Sequence, residues 1–253
     1  MDTLAGRTVM VTGASSGLGA HFARLCSKAG AQVVVAARRV DRVKALADDI
    51  QRRGGRAFPV AMDVTDKASV EAAFVAAESA FGSVDTLVAN AGVSAPGRST
   101  ELALDTVRSV LDTNVLGVFL TATEAARRMI AAGSRENGRG RIILIGSITA
   151  EITGQGESIY SASKAAVAHL GRNLAREWVR QGINVNVIQP GYIQTELSGD
   201  WFESDGGKAQ IASFPRRQLQ PIQSLDGPLL FLASDGSENT TGATFTIDDG
   251  QSL

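Results

Sequence analysis

A doubly wound α/β fold, a parallel sheet of about seven strands with helices on both faces, is the class this sequence predicts. Short β-branched runs alternate with longer stretches whose apolar residues recur at helical spacing, the pattern of strands joined by crossover helices. A glycine-rich turn, Thr12-Gly13-Ala14-Ser15-Ser16-Gly17-Leu18-Gly19, separates the first run from the first helical stretch. The chain has 253 residues, 44% hydrophobic and 20% charged, which suits one large globular domain over 1–253 better than two small ones.

In chain order, the run Thr8–Thr12 is the first strand, a helix follows over 17–29, and the valine-rich residues 32–36 form the second strand. Further strands are expected at 57–61, 84–89, 141–146, 184–188 and 243–247, with helices at 69–81, 104–132 and 158–181. Most intervening segments are long enough for parallel crossovers. Residues 133–140 are polar and turn-rich, and read as a surface connection rather than a domain boundary. Residues 192–217 mix Gly199, Gly206 and Gly207 with Leu197, Trp201, Phe202, Ile211 and Phe214. That mixture suits short helices in a movable lid, preferred over a rigid insertion, because functional loops gather at strand ends of α/β folds.

Charge narrows the function classes. Lys and Arg total 25 against 26 acids, so no basic field marks a nucleic-acid or anionic-membrane partner. No apolar run approaches the roughly 20 residues that span a bilayer, and the first residues lack a basic segment followed by an apolar core. A soluble, cytoplasmic protein is expected. Cys26 is the lone cysteine and His21 and His169 lie far apart in sequence, so neither an intrachain disulfide nor a metal site is expected.

The glycine-rich turn carries the first chemical signal. Glycines let the backbone turn sharply and approach a ligand, while free amides at a helix start favour phosphate oxygens. Between the first strand and first helix of an alternating chain, this is a dinucleotide-binding signal. At the end of the second strand an acid would accept hydrogen bonds from the adenosine ribose and repel a 2′-phosphate. Here the chain reads Val35-Ala36-Ala37-Arg38-Arg39. Arg38 offers a planar donor fork to phosphate, with Arg39 and Ser15 as helpers, which favours NADP(H) over NAD(H). The plainer reading of the two arginines is a solvated pair at a helix start.

Tyr160 and Lys164 fall one helical turn apart on one face. A phenol with a pKa of about 10 needs a nearby positive charge to act as a proton carrier near neutral pH, and Lys164 can supply it. Spacing alone is equally satisfied by an exposed i,i+4 pair. The residues Arg141-Ile-Ile-Leu-Ile-Gly-Ser147 upstream read as a buried strand that ends on a hydroxyl.

These signals occur in order with Asp63-Val64, Asn90-Ala91-Gly92, Asn114 within Thr113-Asn-Val, and Pro190-Gly191 with Thr195 downstream. Together they resemble the short-chain dehydrogenase/reductase family in its compact single-domain, Rossmann-like form, over essentially the whole chain. The resemblance implies Tyr160 as proton donor in carbonyl reduction and acceptor in alcohol oxidation, with Ser147 orienting the substrate oxygen. It implies that Lys164 holds the nicotinamide ribose and lowers the Tyr160 pKa, and that Asn114 retains a water in a proton relay.

Cofactor contacts implied are Gly13, Ser15, Ser16, Gly17, Leu18 and Gly19 at the phosphates and Arg38 and Arg39 at the ribose. Asp63 and Val64 would meet the adenine and Asn90, Ala91 and Gly92 the cofactor's middle. Tyr160, Lys164, Pro190, Gly191, Ile193 and Thr195 would lie on the nicotinamide side. Some NADP-preferring relatives carry a second basic residue where this chain has Ser16.

The implied substrate pocket adds Val93, Ser94, Ile148, Thr149, Thr153, Gln155, Tyr192, Leu197, Trp201 and Phe202 to Ser147 and Tyr160. The mixture suits a moderately apolar ketone or secondary alcohol. Reduction of a 3-oxoacyl thioester is the alternative, with Arg127 and Arg128 meeting an acidic carrier, and a nonenzymatic NADP-binding protein is a third reading. Val167, Leu170, Leu174 and Trp178 form an apolar stripe that reads as intrachain core. The resemblance implies a homotetramer, with a dimer as runner-up.

Overall fold

The computed structural model describes residues 3–253. Seven parallel strands form one sheet in the order β3-β2-β1-β4-β5-β6-β7. They are β1 (Thr8–Thr12), β2 (Gln32–Ala37), β3 (Arg56–Ala61), β4 (Thr86–Ala89), β5 (Gly140–Ile145), β6 (Ile183–Pro190) and β7 (Thr244–Ile247). All seven expected strands are present, with ends shifted by up to two residues. Helices α1 (Gly17–Lys28), α2 (Val40–Arg52), α3 (Lys67–Phe81), α4 (Leu104–Leu111), α5 (Gly117–Ala131), α6 (Ser134–Asn137), α7 (Ser158–Trp178), α8 (Asp205–Ser213) and α9 (Asp226–Ala233) connect them.

Alternation along each central strand supplies two cores. Val9 and Val11 of β1, Val33 and Val35 of β2 and Ile143 and Ile145 of β5 pack with Phe22, Val43, Ile50 and Leu229 on one face. Met10, Val34, Ile142 and Leu144 point the other way, against Phe74, Val118, Val167, Leu174 and Trp178. Side chains on a strand alternate between faces, so strands buried on both sides read as continuous apolar runs. The stripe on α7 is therefore intrachain core. Gly171 lets that helix approach β6 closely, since a Cβ there would lie 2.6 Å from Val187 Cγ2.

The expected helix over 104–132 is broken: α4 gives way to a wide π turn, Asp112–Leu116, before α5 resumes. The extra residue re-aims the turn and carries Thr113 and Asn114 to the sheet side, where both are buried. Helix α3 begins two residues before its expected start because the Asp66 carboxylate accepts a hydrogen bond from Ala68 N at 2.9 Å. The turn-rich 133–140 stretch contains the single-turn α6. No helix among the described residues is long and apolar enough to cross a membrane.

Strand order reverses direction between β1 and β4, and a crevice opens there at the strands' C-terminal ends. Thr12 at the end of β1 closes the base of that crevice. Its hydroxyl accepts hydrogen bonds from Asn90 N (3.0 Å) and Ala91 N (3.1 Å), while Asn90 Nδ2 donates to Thr12 O at 2.9 Å.

Candidate active site

A cleft of about 980 Å³ runs across these strand ends from the glycine-rich turn to Tyr160 and the 192–217 segment. The turn fits a pyrophosphate on its own geometry. Gly13 has φ 65°, and a Cβ on it would lie 2.8 Å from Ala91 Cα; a Cβ on Gly19 would lie 2.6 Å from Asn90 Nδ2. Only glycine allows this approach of backbone to backbone. Ser16 precedes α1 without capping it through its side chain, so the first amides of the helix lie at the cleft wall formed by Ser16, Gly17 and Leu18. Gly19 is buried behind that wall and shapes it from beneath.

Beyond the end of β2, Arg38 and Arg39 are exposed and line the cleft. Burial opposes ionisation of Asp63, but hydrogen bonds from Thr65 and the charge of Arg38 outweigh it and hold the carboxyl below the usual range. Arg39 is already engaged: it donates to Ser15 Oγ (3.0 Å) and Ser16 Oγ (2.7 Å), and pairs with Glu196. Arg42 pairs with the same carboxylate at 2.6 Å. Glu196 lies just beyond Thr195, so an acid from the far side of the cleft sits among the arginines.

The far end of the cleft is assembled from two elements, the segment after β5 and helix α7. Ser147 follows β5, and its oxygen accepts hydrogen bonds from Thr149 N (3.2 Å) and Thr149 Oγ1 (2.9 Å), so its one O–H is left to donate to the Tyr160 phenol. Tyr160 and Lys164 lie on α7, with Lys164 Nζ 5.6 Å from the Tyr160 ring centroid. Lys164 is only 4% exposed and gives one hydrogen bond to Ile145 O at 2.8 Å. Burial draws its pKa down to about 8. Burial pushes the Tyr160 phenol up to about 12, assisted by the charge of Glu157 and opposed by a hydrogen bond with Ser147. The lowering is supplied by Ser147 rather than by Lys164, and desolvation outweighs it.

Asn114 sits behind the wall rather than on it. Its Oδ1 accepts from Val93 N (2.8 Å), and its Nδ2 donates to Val93 O (2.9 Å) and Ser163 Oγ (3.0 Å). Both donors are used, leaving one acceptor position.

Most expected cleft residues do line it, including Asp63, Val64, Gly92, Val93, Ser94, Thr149, Gln155, Pro190, Gly191, Ile193, Thr195 and Leu197. Thr153 is exposed outside it and Ile148 is buried beneath it. Tyr192 stacks on Phe214 at 5.5 Å and meets Phe202 edge-on at 6.2 Å, while Trp201 Nε1 donates to Gln210 Oε1 at 2.7 Å. The sequence reading missed Thr113, Glu157 and Gln210, all of which line the cleft. Glu157, three residues before Tyr160, was within reach of a helical-face argument; Gln210 had no signal in its local sequence.

One cleft thus joins a glycine-rich turn at the sheet's switch point to a serine, a tyrosine and a lysine at its far end. The chain belongs to the short chain dehydrogenase family, whose model matches residues 7–206, and is an enzyme of that family. It is 38% identical over 254 residues to cis-4-hydroxycyclohexanecarboxylate dehydrogenase of Sinomonas cyclohexanicum, covering 98% of both chains. It is 36% identical to L-rhamnose 1-dehydrogenase (NAD(P)(+)) of Azotobacter vinelandii, covering 96% of both. The solved gluconate 5-dehydrogenase of Burkholderia cenocepacia, in complex with NADP and tartrate, superposes with a TM-score of 0.92 at 31% identity, covering 99% of this chain and 96% of that one.

Proposed function

We propose that this protein interconverts a ketone and a secondary alcohol with NADP(H). The observation that carries the reading is the single cleft joining the glycine cradle to Ser147, Tyr160 and Lys164. When bound, the nicotinamide supplies or receives the hydride. Ser147 turns its O–H from the Tyr160 phenol to the substrate oxygen and orients it, and the Tyr160 hydroxyl gives that oxygen a proton in reduction and takes it back in oxidation. Lys164 keeps two unused donors beyond its bond to Ile145 O, suited to the ribose hydroxyls. Asn114 acts as a positioning residue that fixes the backbone at Val93 and the α7 hydroxyl of Ser163.

Arg38 and Arg39, with Ala37 where an acid would disfavour a 2′-phosphate, support NADP(H). The NADP of the Burkholderia structure and the NAD(P)(+) of the rhamnose enzyme's name agree with either nicotinamide and sharpen the choice no further. The 192–217 segment, with exposed Leu197 and Trp201 over a Tyr192 aromatic stack, is read as the substrate lid on a single domain. Exposed Leu111, Leu116 and Phe119 around the π turn suit a homotetramer, with a dimer as alternative, and the cytoplasm is the proposed location. The thioester reading finds no support: Arg127 and Arg128 are paired with Glu124 and Glu78 outside the cleft.

Tyr160→Phe keeps the ring but removes the transferable proton. Turnover of cyclic and acyclic secondary alcohols, followed by nicotinamide absorbance, should fall by about 10²–10⁴-fold, while NADPH affinity changes little. Undiminished turnover in that variant would reject the mechanism.

A further inference from the structure

Glu157 is a half-buried carboxylate in the cleft wall whose presence the proposed proton and hydride transfers do not explain. It occupies the position just before α7, so its backbone starts the helix that carries Tyr160, yet its side chain does not cap that helix. One hydrogen bond reaches it, from Tyr192 Oη at 3.3 Å. Burial raises its pKa, the Tyr192 hydrogen bond opposes that rise, and no cation contributes. A carboxylate has about four acceptor positions, so most of this one's capacity is unspent. Gly154 keeps it uncovered on one side: a Cβ there would fall 2.5 Å from Glu157 Oε2.

The cations that line the cleft lie elsewhere or are engaged. Arg38 and Arg39 stand at the ribose end, and Lys164 donates to Ile145 O. The wall around Tyr192, Trp201 and Gln210 thus offers an acid and no base. A desolvated carboxylate lacking donors is costly, and a ligand that brings a donor removes that cost, whereas a ligand that brings a second anion compounds it.

We propose that Glu157 is a specificity-determining residue that receives a hydrogen-bond-donating substituent, hydroxyl or ammonium, carried on the substrate away from the reacting carbon, and rejects substrates bearing a carboxylate there. The inference rests on the alcohol–ketone reading above and gives that site a substrate class.

The test is a matched ring series, cyclohexanol, 1,4-cyclohexanediol, 4-aminocyclohexanol and 4-hydroxycyclohexanecarboxylate, assayed with NADP⁺ on wild type, Glu157→Gln and Tyr192→Phe. Binding to cofactor-loaded protein is followed in parallel by tryptophan fluorescence. In wild type the diol or the amine should exceed the carboxylate in kcat/KM by about tenfold or more, chiefly through KM, because a site built to bond a donor discriminates strongly against a ligand that cannot satisfy it. Whether diol or amine leads tells hydroxyl from ammonium.

Glu157→Gln should collapse the donor-over-carboxylate ratio. Tyr192→Phe, which removes the hydroxyl and with it the Tyr192–Glu157 bond while keeping the ring, should keep it, whereas a Glu157 that merely held Tyr192 in place would lose the ratio in both variants. Equal or tighter binding of the carboxylate in wild type, no binding of either donor compound, or a ratio unmoved by Glu157→Gln overturns the proposal. Selective binding of a donor compound with no member of the series oxidised would instead reject the alcohol–ketone reading and leave the selectivity standing.

Discussion

Tyr160 faces opposed effects: burial and the charge of Glu157 hold its proton on, and Ser147 eases it off. With the phenol pushed up to about 12, the protonated form that the proposed mechanism uses for carbonyl reduction persists through neutral pH, while the phenolate it uses for oxidation is scarce. The sign follows. Oxidation should climb with pH, by up to about tenfold per unit between pH 7 and 9, and reduction should not climb with it. Initial rates in both directions across that range provide the check, and parallel rises in the two would remove Tyr160 from the proton path. At this scale the sequence exposed Tyr160 and Lys164 because their spacing is local. It concealed the balance of their charges, since burial of Lys164 depends on Ile145 and Gly92, which are distant in sequence.

Between elements, the contact that stands out is the one from the segment after β6 to the start of α2. Glu196 sits between Arg39 and Arg42, whose hydrogen bonds hold its carboxyl below the usual range. On the NADP(H) reading proposed above, a 2′-phosphate competes with it for Arg39. Glu196→Ala should therefore raise the NADPH-over-NADH preference, by a few-fold at most because the pair is solvent-exposed, as read from the ratio of dissociation constants. An unchanged ratio would detach Glu196 from cofactor choice.

This contact was invisible along the chain because 157 residues separate its partners. The helix break at Asp112–Leu116 was hidden for another reason: apolar spacing runs on through a π turn, so α4 and α5 read as one helix. The strands were legible throughout, because a sheet covered on both faces needs unbroken apolar runs wherever it passes.

The whole molecule divides its labour between the two ends of the sheet. At the end opposite the cleft, Arg7 is 1% exposed and donates to Asp85 Oδ1 (3.1 Å), Thr86 Oγ1 (3.1 Å), Arg139 O (3.0 Å) and Asp235 Oδ1 (2.5 Å), knitting β1, β4, β5 and the turn after α9. Arg7→Ala leaves the buried Thr86 hydroxyl and the partly buried Asp85 carboxylate without that donor and should lower stability by about 1–3 kcal/mol, since Asp235 is largely solvated. Denaturant titration should register that loss, while nucleotide affinity of the folded protein stays unchanged. Stability equal to wild type would make the network ornamental.

The same division bears on how such a protein can diverge. At Gly13 and Gly19 the backbone lies against Ala91 and Asn90 with no room for even a methyl group, so the nucleotide end offers almost no single-step change that preserves its shape. The opposite rim is made of outward-facing side chains such as Leu197 and Trp201, each about half exposed and free to be exchanged. Descendants of this chain can therefore exchange rim residues one at a time, while the turn at Gly13 and Gly19 keeps its shape because its glycines tolerate no successor.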